Sequence, residues 1–124
     1  MKILIVEDAL LMAKGAQMIL KAHHHDPEIA FTPSEALKAV ESNPYDAIFM
    51  DFGLPEMDGL QLTAHLREMG YSGLVIGLTA NIEKFTLEEM KQAGLNTCLE
   101  KPFNPKKLYV LDMSPDQIDF DIKT

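Results

Sequence analysis

Asp51 is the side chain in this sequence that is best placed to do chemistry. It follows the apolar run 47–50 and opens the segment DFGLPEMDG, which is rich in Gly and Pro. A buried strand that ends in a carboxylate and then breaks into such a turn leaves the carboxylate at its C-terminal end. In open α/β sheets, ligands bind at that edge. We therefore predict that Asp51 belongs to a binding or reaction site.

Other strand-like runs also end in polar or charged side chains. They are Glu7 and Asp8 after the run 3–6, Thr79 after 74–78, and Lys101 after a weaker run around Leu99. Because the carboxyl ends of parallel strands share one edge of a sheet, we expect these side chains to meet Asp51. Three carboxylates held together are unfavourable unless a cation neutralises them. Their oxygen atoms suit a hard divalent ion, Mg²⁺ in the first place and Mn²⁺ as an alternative.

The remaining groups indicate what such a site would act on. Pro102 restricts the backbone of Lys101, whose ammonium group suits an incoming anion. The hydroxyl of Thr79, at the end of a central strand, can donate to an oxyanion. A carboxylate nucleophile, a divalent ion, an ammonium and a hydroxyl together make a phosphoryl-transfer site. Taken singly, each residue has a plainer interpretation, such as an acidic helix start for Glu7 and Asp8.

Strand-like and helical patterns alternate along the chain. The strand-like segments lie near 2–7, 28–32, 46–51, 74–79 and 97–101. Helical patterns lie between them. The first helix has Met12, Ala16, Ile19 and Leu20 on one face, and the second lies near 33–42. The third has Leu62, Leu66 and Met69 on one stripe and stops at Gly70, and the fourth is capped by Thr86 and ends at Gly94. This alternation predicts a parallel sheet with helices on both faces. The mixed composition of the second strand places it at an edge.

The C-terminal residues depart from the alternation. Asn104 caps a last helix that a later proline stops by about residue 112. Beyond it, apolar and polar residues alternate over 118–122 as in a strand, whereas 114–117 forms a capping-box pattern, and both interpretations stay open. We predict a domain over 1–113 and an atypical tail over 114–124 whose apolar residues pack on the domain.

Composition excludes several classes of protein. The 124 residues are 47% hydrophobic and 24% charged, which is typical of one globular domain. The net charge of −8 argues against a general nucleic-acid surface. No apolar run approaches the roughly 18 residues of a membrane span, and we expect a cytoplasmic protein. A single cysteine, Cys98, excludes an internal disulfide and a cysteine-rich zinc site.

These motifs resemble the receiver domains of two-component response regulators. The resemblance covers residues 1 to about 111 and rests on ILIVED, MDFGLPEMDG, GLTA and EKPF, in that order. It implies a flavodoxin-like (βα)5 fold, a five-stranded parallel sheet in the order 2-1-3-4-5, here with a shortened last helix. It also implies a stand-alone phosphoacceptor rather than an enzyme. Such a domain would take a phosphoryl group from a histidine kinase or histidine phosphotransfer protein and signal by contact with an output protein.

The resemblance assigns a role to each site residue. Asp51 would be the phosphoacceptor and one ligand of Mg²⁺. Asp8 would bind the ion directly and Glu7 through water, with the backbone carbonyl of Gly53 completing the protein ligands.

The resemblance also gives roles to the two groups on the other side of Asp51. Lys101 would pair with a phosphoryl oxygen, and Thr79 would move to contact another. Three residues before that lysine, the family usually has an aromatic ring that responds to the threonine, and here the residue is Cys98. The usual coupling is therefore not indicated for this chain. The usual dimer, which uses the last helix, is not indicated either, because that helix is shortened here.

Other functions were weighed against these residues. A haloacid-dehalogenase-type phosphatase needs a second acid two residues after the nucleophile, where this chain has Gly53. A nucleotide- or flavin-binding protein needs a Gly-rich loop after the first strand, and EDALLMAKG is not one. A degenerate receiver that acts only as a protein-binding scaffold remains the alternative. The run His23–His25 is not expected to bind a metal natively, because successive residues do not share a face.

Overall fold

Strands and helices alternate in the computed structural model, which describes residues 1–80 and 85–113. Within these residues the strands are β1 (Lys2–Val6), β2 (Asp26–Ala30), β3 (Ala47–Asp51), β4 (Leu74–Thr79) and β5 (Thr97–Glu100). All neighbouring strands pair in parallel, in the order β2-β1-β3-β4-β5. The continuous apolar runs β1, β3 and β4 occupy the centre, and the mixed strand β2 lies at an edge. The predicted fold and strand order are confirmed.

Helices cover both faces of this sheet. They are α1 (Leu10–Ala22), α2 (Pro33–Ser42), α3 (Gly59–Glu68), α4 (Leu87–Ala93) and a final 3-10 helix (Pro105–Asp112). On one face, Leu62 and Leu66 of α3 pack with Met90 of α4 and with residues of α2. On the other face, Leu20 of α1 packs with Leu108 of the 3-10 helix. The sheet is therefore buried on both sides, and its carboxyl edge is where side chains can reach a ligand.

Local signals set the ends of the helices. The hydroxyl of Thr86 accepts from the N–H of Glu89, whose carboxylate accepts from the N–H of Thr86, so α4 begins with the predicted capping box. Gly94 ends the helix with φ 100°, a left-handed conformation that favours glycine. A second capping box, which was not predicted, joins Asp58 to Gln61 and starts α3 directly after the turn that follows Asp51.

Some local predictions were wrong. β2 spans Asp26–Ala30 instead of 28–32, because parallel pairing with β1 rather than hydrophobicity fixes its start. In α1 the buried residues are Ala13, Ala16 and Leu20, so Ala13 takes the place that was predicted for Met12, which is 39% exposed. The small side chain of Ala13 lets the helix approach the sheet. Met69 caps α3 and is exposed, so it does not extend the buried stripe. The last helix has the predicted extent but is a 3-10 helix.

Residues 114–124 lie outside the described part of the chain, so the boundary at residue 113 and the tail stay predictions. In the described residues, no helix combines the length and the apolar character that crossing a membrane would require.

Candidate functional site

The side chains that were predicted to meet are brought together at the carboxyl edge of the sheet. Asp51 is the last residue of β3 and is 3% exposed. Glu7 follows β1 on one side of it, and Thr79 ends β4 on the other. Lys101 directly follows β5, and its N–H donates to the carbonyl of Thr79 at 2.8 Å. Four strand ends therefore meet at one edge of the sheet, as the sequence pattern predicted.

Lys101 joins two of the carboxylates. Its Nζ lies 2.7 Å from Oδ1 of Asp51 and 2.8 Å from Oε1 of Glu7. The lysine side chain is 17% exposed, and both acidic side chains are 4% exposed, so these ion pairs are shielded from water. Because charges attract more strongly where water is excluded, the three side chains hold one another in place. The contact between Lys101 and Glu7 was not predicted.

Burial and charge oppose each other in this cluster. Burial raises the pKa of Glu7, and nearby Asp51 raises it further, although the hydrogen bond from Lys101 lowers it; the pKa is raised overall. Burial lowers the pKa of Lys101, but its hydrogen bonds to Asp51 and Glu7 outweigh that effect and leave the pKa raised. Lys101 therefore stays protonated and cationic at neutral pH.

Three carboxylates at this edge are arranged so that one cation could bind them all. Glu7, Asp8 and Asp51 each offer an oxygen, and these atoms lie within 4.8 Å of one another. Asp8 is exposed while the other two are buried, so an ion here would keep an open, solvated side. Oxygen ligands with room for water fit Mg²⁺, which retains part of its hydration. The residues present therefore fit the predicted metal, and Asp8 would reach it from the solvent side.

The turn after Asp51 is tied to the carboxylate itself. The N–H of Gly53 donates to Oδ1 of Asp51 at 3.2 Å, which brings Gly53 next to the cluster. Whether its backbone carbonyl is a metal ligand stays a prediction. Further along the turn, the N–H of Met57 donates to the carbonyl of Pro55 at 2.7 Å, and Glu56 between them has φ 70°. This is the geometry of a γ-turn, in which a non-glycine residue is strained.

Gly59 is a residue of this site that was not predicted as functional. It begins α3, and a Cβ on it would lie 2.4 Å from the carbonyl oxygen of Asp51. Its N–H donates to the carbonyl of Phe52 at 3.2 Å. The helix start is thus pressed against the backbone of the central carboxylate. The capping pattern of Asp58 and Gln61 around this glycine was the signal in the sequence that could have located the contact.

An apolar groove opens beside the ion pairs. It encloses about 240 Å³ and is lined by Leu11, Met12 and Ala16 of α1, and by Glu7 and Lys101 of the site. The neighbouring helix surface is also apolar, since Leu11 is 85% exposed and other large apolar residues of α1 are exposed as well. Apolar surface that adjoins a reactive site is typical of a place where another protein docks.

The histidine run 23–25 and Cys98 lie outside this cluster of charged side chains. Nδ1 of His23 donates to the carbonyl of Ile19, and His25 contacts the N-terminal amine, both in the exposed connection after α1. Among the described residues, the groups that could hold a metal include no histidine. Cys98 is fully buried, and burial raises the pKa of its thiol to about 12. Burial therefore disfavours the thiolate, which is the reactive form of a cysteine.

Comparison with known proteins matches residues 3–111 to the family of response regulator receiver domains. The two-component response regulator ARR22 of Arabidopsis thaliana is 36% identical over 114 residues, which cover 88% of this chain and 79% of that protein. Hybrid signal transduction histidine kinase B of Dictyostelium discoideum is 30% identical over 122 residues. That match covers 88% of this chain but 6% of the kinase, so the chain spans a small part of some relatives.

Solved structures agree with this match. The receiver domain of sensor histidine kinase PA1611 from Pseudomonas aeruginosa PAO1 superimposes with a TM-score of 0.81 at 32% identity, covering 90% of this chain and 93% of that one. That structure has a magnesium ion coordinated in its active site cleft. The chemotaxis protein CheY4 of Vibrio cholerae superimposes with a TM-score of 0.82 at 26% identity, covering 88% and 92% of the two chains.

Proposed function

This chain belongs to the response regulator receiver domain family, and we propose that within it Asp51 accepts a phosphoryl group from a phosphohistidine. The observation that carries the proposal is the 2.7 Å ion pair between Asp51 and Lys101 beside two further carboxylates. In this proposal the buried carboxylate is the nucleophile, and Lys101 together with a bound divalent ion would neutralise the anionic phosphoryl group that it attacks. The donor would be a histidine kinase or a histidine phosphotransfer protein.

The proposed transfer is a single displacement at phosphorus. An oxygen of Asp51 forms the new O–P bond while the N–P bond of the phosphohistidine breaks, and its electron pair stays on the imidazole, which takes a proton. Lys101 moves its contact from the carboxylate to a phosphoryl oxygen, and the hydroxyl of Thr79 donates to another. A Mg²⁺ ion held by Asp8 and Asp51, and by Glu7 through water, would supply positive charge next to the phosphoryl oxygens. The proposal includes no reaction on a separate substrate.

The two acids after β1 have different roles in this proposal. Glu7 already accepts from Lys101 at 2.8 Å and from the N–H of Ala9 at 3.3 Å, so its oxygens are engaged by the protein. Asp8 is exposed on the open side of the cluster. These environments support Asp8 as a direct ligand of Mg²⁺ and Glu7 as a ligand through water.

A protein donor and a protein output partner fit the surface of the molecule. The exposed Leu11 and the apolar groove of α1 adjoin Lys101, so a docked protein would deliver its phosphohistidine to the site. The net charge of −8 argues against nucleic acid as the direct output.

Labelling with a small acyl phosphate in the presence of Mg²⁺ tests the proposal. We expect one phosphoryl group on Asp51, found by mass spectrometry of peptides, and none without a divalent ion. Asp51→Asn keeps the shape of the side chain and should abolish labelling. Asp26→Asn, a change of the same kind at an exposed position in the edge strand β2, should leave labelling unchanged.

Two results would count against the proposal. Equal labelling of the wild type and Asp51→Asn would contradict the assignment of the phosphoacceptor. No labelling of the wild type by the acyl phosphate or by a phosphorylated histidine phosphotransfer protein would favour the alternative, a scaffold that binds proteins without phosphorylation.

A further inference from the structure

Phe52, the residue directly after the phosphoacceptor, fills a space that its neighbours leave open. Its ring is 4% exposed and lies on the face of the sheet that α2, α3 and α4 cover. A Cβ added to Gly77 of β4 would come within 2.5 Å of this ring, and that Cβ would lie 3.4 Å from Sγ of Cys98 on β5. Small residues on the two adjacent strands therefore make the room that the ring occupies.

The carboxylate of Asp51 helps to hold the backbone of Phe52. Oδ1 of Asp51 accepts from the N–H of Gly53, an Asx-turn whose middle residue is Phe52. The N–H of Phe52 donates to the carbonyl of Leu78 at 3.1 Å, and its carbonyl accepts from Gly59 at 3.2 Å. The same Oδ1 also accepts from Lys101. A change in the charge or bonding of this oxygen therefore alters the hydrogen bond that helps to hold the backbone of Phe52.

The ring of Phe52 also reaches the start of helix α4. It packs edge-on against Phe85, with centroids 5.3 Å apart and planes at 89°. Phe85 is half-buried and immediately precedes Thr86, the residue that caps α4. One continuous chain of contacts therefore leads from the carboxylate of Asp51 through two rings to the first turn of this helix.

We propose that Phe52 and Phe85 couple the phosphorylation state of Asp51 to helix α4. The inference rests on the function proposed above. When an oxygen of Asp51 bonds to phosphorus, the carboxylate loses its charge, and the hydrogen bond from Gly53 loses its charge assistance. The torsions of Phe52 then relax, its ring shifts over Gly77, and Phe85 transmits the shift to α4. Cys98 on β5 has no ring, so in this chain the ring of Phe52, next to Asp51, performs the coupling.

Hydrogen exchange measured by mass spectrometry tests this coupling. The wild type, Phe52→Leu and Phe85→Leu are compared with and without excess acyl phosphate and Mg²⁺, and the same spectra report modification of Asp51. In the wild type we expect the exchange of the α4 amides to change by about fivefold or more. In both variants Asp51 should still be modified, but the α4 change should fall to less than about half of the wild-type value.

A matched control lies on the opposite face of the sheet. Phe103 forms a similar edge-on pair with Phe49, with centroids 5.0 Å apart and planes at 86°. Phe103→Leu therefore removes a comparable ring contact and should keep the wild-type response of α4. Where Phe52→Leu lowers the stability too far, the half-buried Phe85→Leu decides the question by itself.

Each result supports or overturns the inference. Loss of the α4 response in Phe85→Leu but not in Phe103→Leu supports it. Modification of Asp51 with an unchanged α4 response in Phe85→Leu, or with no response in the wild type, overturns the coupling and leaves the proposed function standing. If Asp51 of the wild type is not modified, the proposed function fails, and the inference fails with it.

Discussion

Replacing Gly59 with alanine should harm both the stability of the domain and the reaction of Asp51. The added Cβ would lie 2.4 Å from the carbonyl oxygen of Asp51 and 3.0 Å from its carbonyl carbon. Both are backbone atoms of the central strand β3. The N–H of Gly59 is in turn bonded to the carbonyl of Phe52, so helix α3 cannot retreat without losing that hydrogen bond. Neither side of the contact can move at low cost.

The size of the effect follows from a comparison with Gly15→Ala. Gly15 lies inside α1, and a Cβ there would meet nothing within 4 Å, so alanine should raise the free energy of unfolding by about 0.5–1 kcal/mol. At Gly59, steric overlap in a packed region costs about 1–3 kcal/mol. The two variants should therefore differ by about 3 kcal/mol. With a slope of about 1.5 kcal/mol per M of urea, their unfolding midpoints should differ by about 2 M.

Urea unfolding of the two variants and the wild type measures this difference directly. The rate of Asp51 labelling by an acyl phosphate gives the second readout, and it should fall in Gly59→Ala and stay unchanged in Gly15→Ala. If Gly59→Ala unfolds at the same urea concentration as Gly15→Ala, the steric reasoning is refuted. If it is less stable but is labelled at the wild-type rate, the contact does not position the phosphoacceptor.

Three further predictions concern single groups. In metal-free buffer, burial raises the pKa of Glu7 above its ordinary 4.5, so between 4.5 and the raised value the folded chain holds a proton that the unfolded chain lacks. The free energy of unfolding should therefore decrease as pH rises through that range. Urea melts of Glu7→Gln should lack this dependence on pH. Asp8→Asn should lose most of the rise in Tm that Mg²⁺ gives the wild type, whereas the control Asp26→Asn should keep it, and equal rises in both would contradict a ligand role for Asp8. Cys98, whose pKa of about 12 compares with an ordinary 9, should react with iodoacetamide at pH 8 roughly 1,000-fold more slowly in the folded than in the unfolded protein, and equal rates would show that its burial does not protect it.

The carboxyl edge of the sheet could be predicted because its residues lie at or just after the ends of apolar runs. Asp51, Glu7 and Lys101 needed no tertiary information beyond the rule that parallel strands share an edge. The helix ends at Gly70 and Gly94 could also be predicted from the local sequence, because both residues adopt positive φ values, which favour glycine. The start of β2 could not be predicted from the local sequence. Pairing with β1 extends that strand through Asp26, which is charged and has no strand signal of its own.

The arrangement of side chains within the site could be predicted less well. The ion pair between Lys101 and Glu7 joins ends of strands that are not neighbours in the sheet. The position of the Phe52 ring depends on two small residues of other strands, Gly77 and Cys98. Such contacts depend on which distant residue leaves space or supplies charge, and neither periodicity nor capping patterns carry that information.

The charges of the site indicate what a bound metal would add to the lysine. Ionised Glu7, Asp8 and Asp51 carry a formal charge of −3, and Lys101 reduces it to −2, which one divalent ion would cancel. An acyl phosphate on Asp51 replaces a charge of −1 by about −2. The phosphorylated site with its metal would thus hold about −1 in place of neutrality. That excess lies on the phosphoryl oxygens, whereas the carboxyl group of Asp51, which accepts from the N–H of Gly53 and so helps to hold the backbone of Phe52, loses its charge. Phosphorylation would therefore weaken the contact through which the proposed response passes.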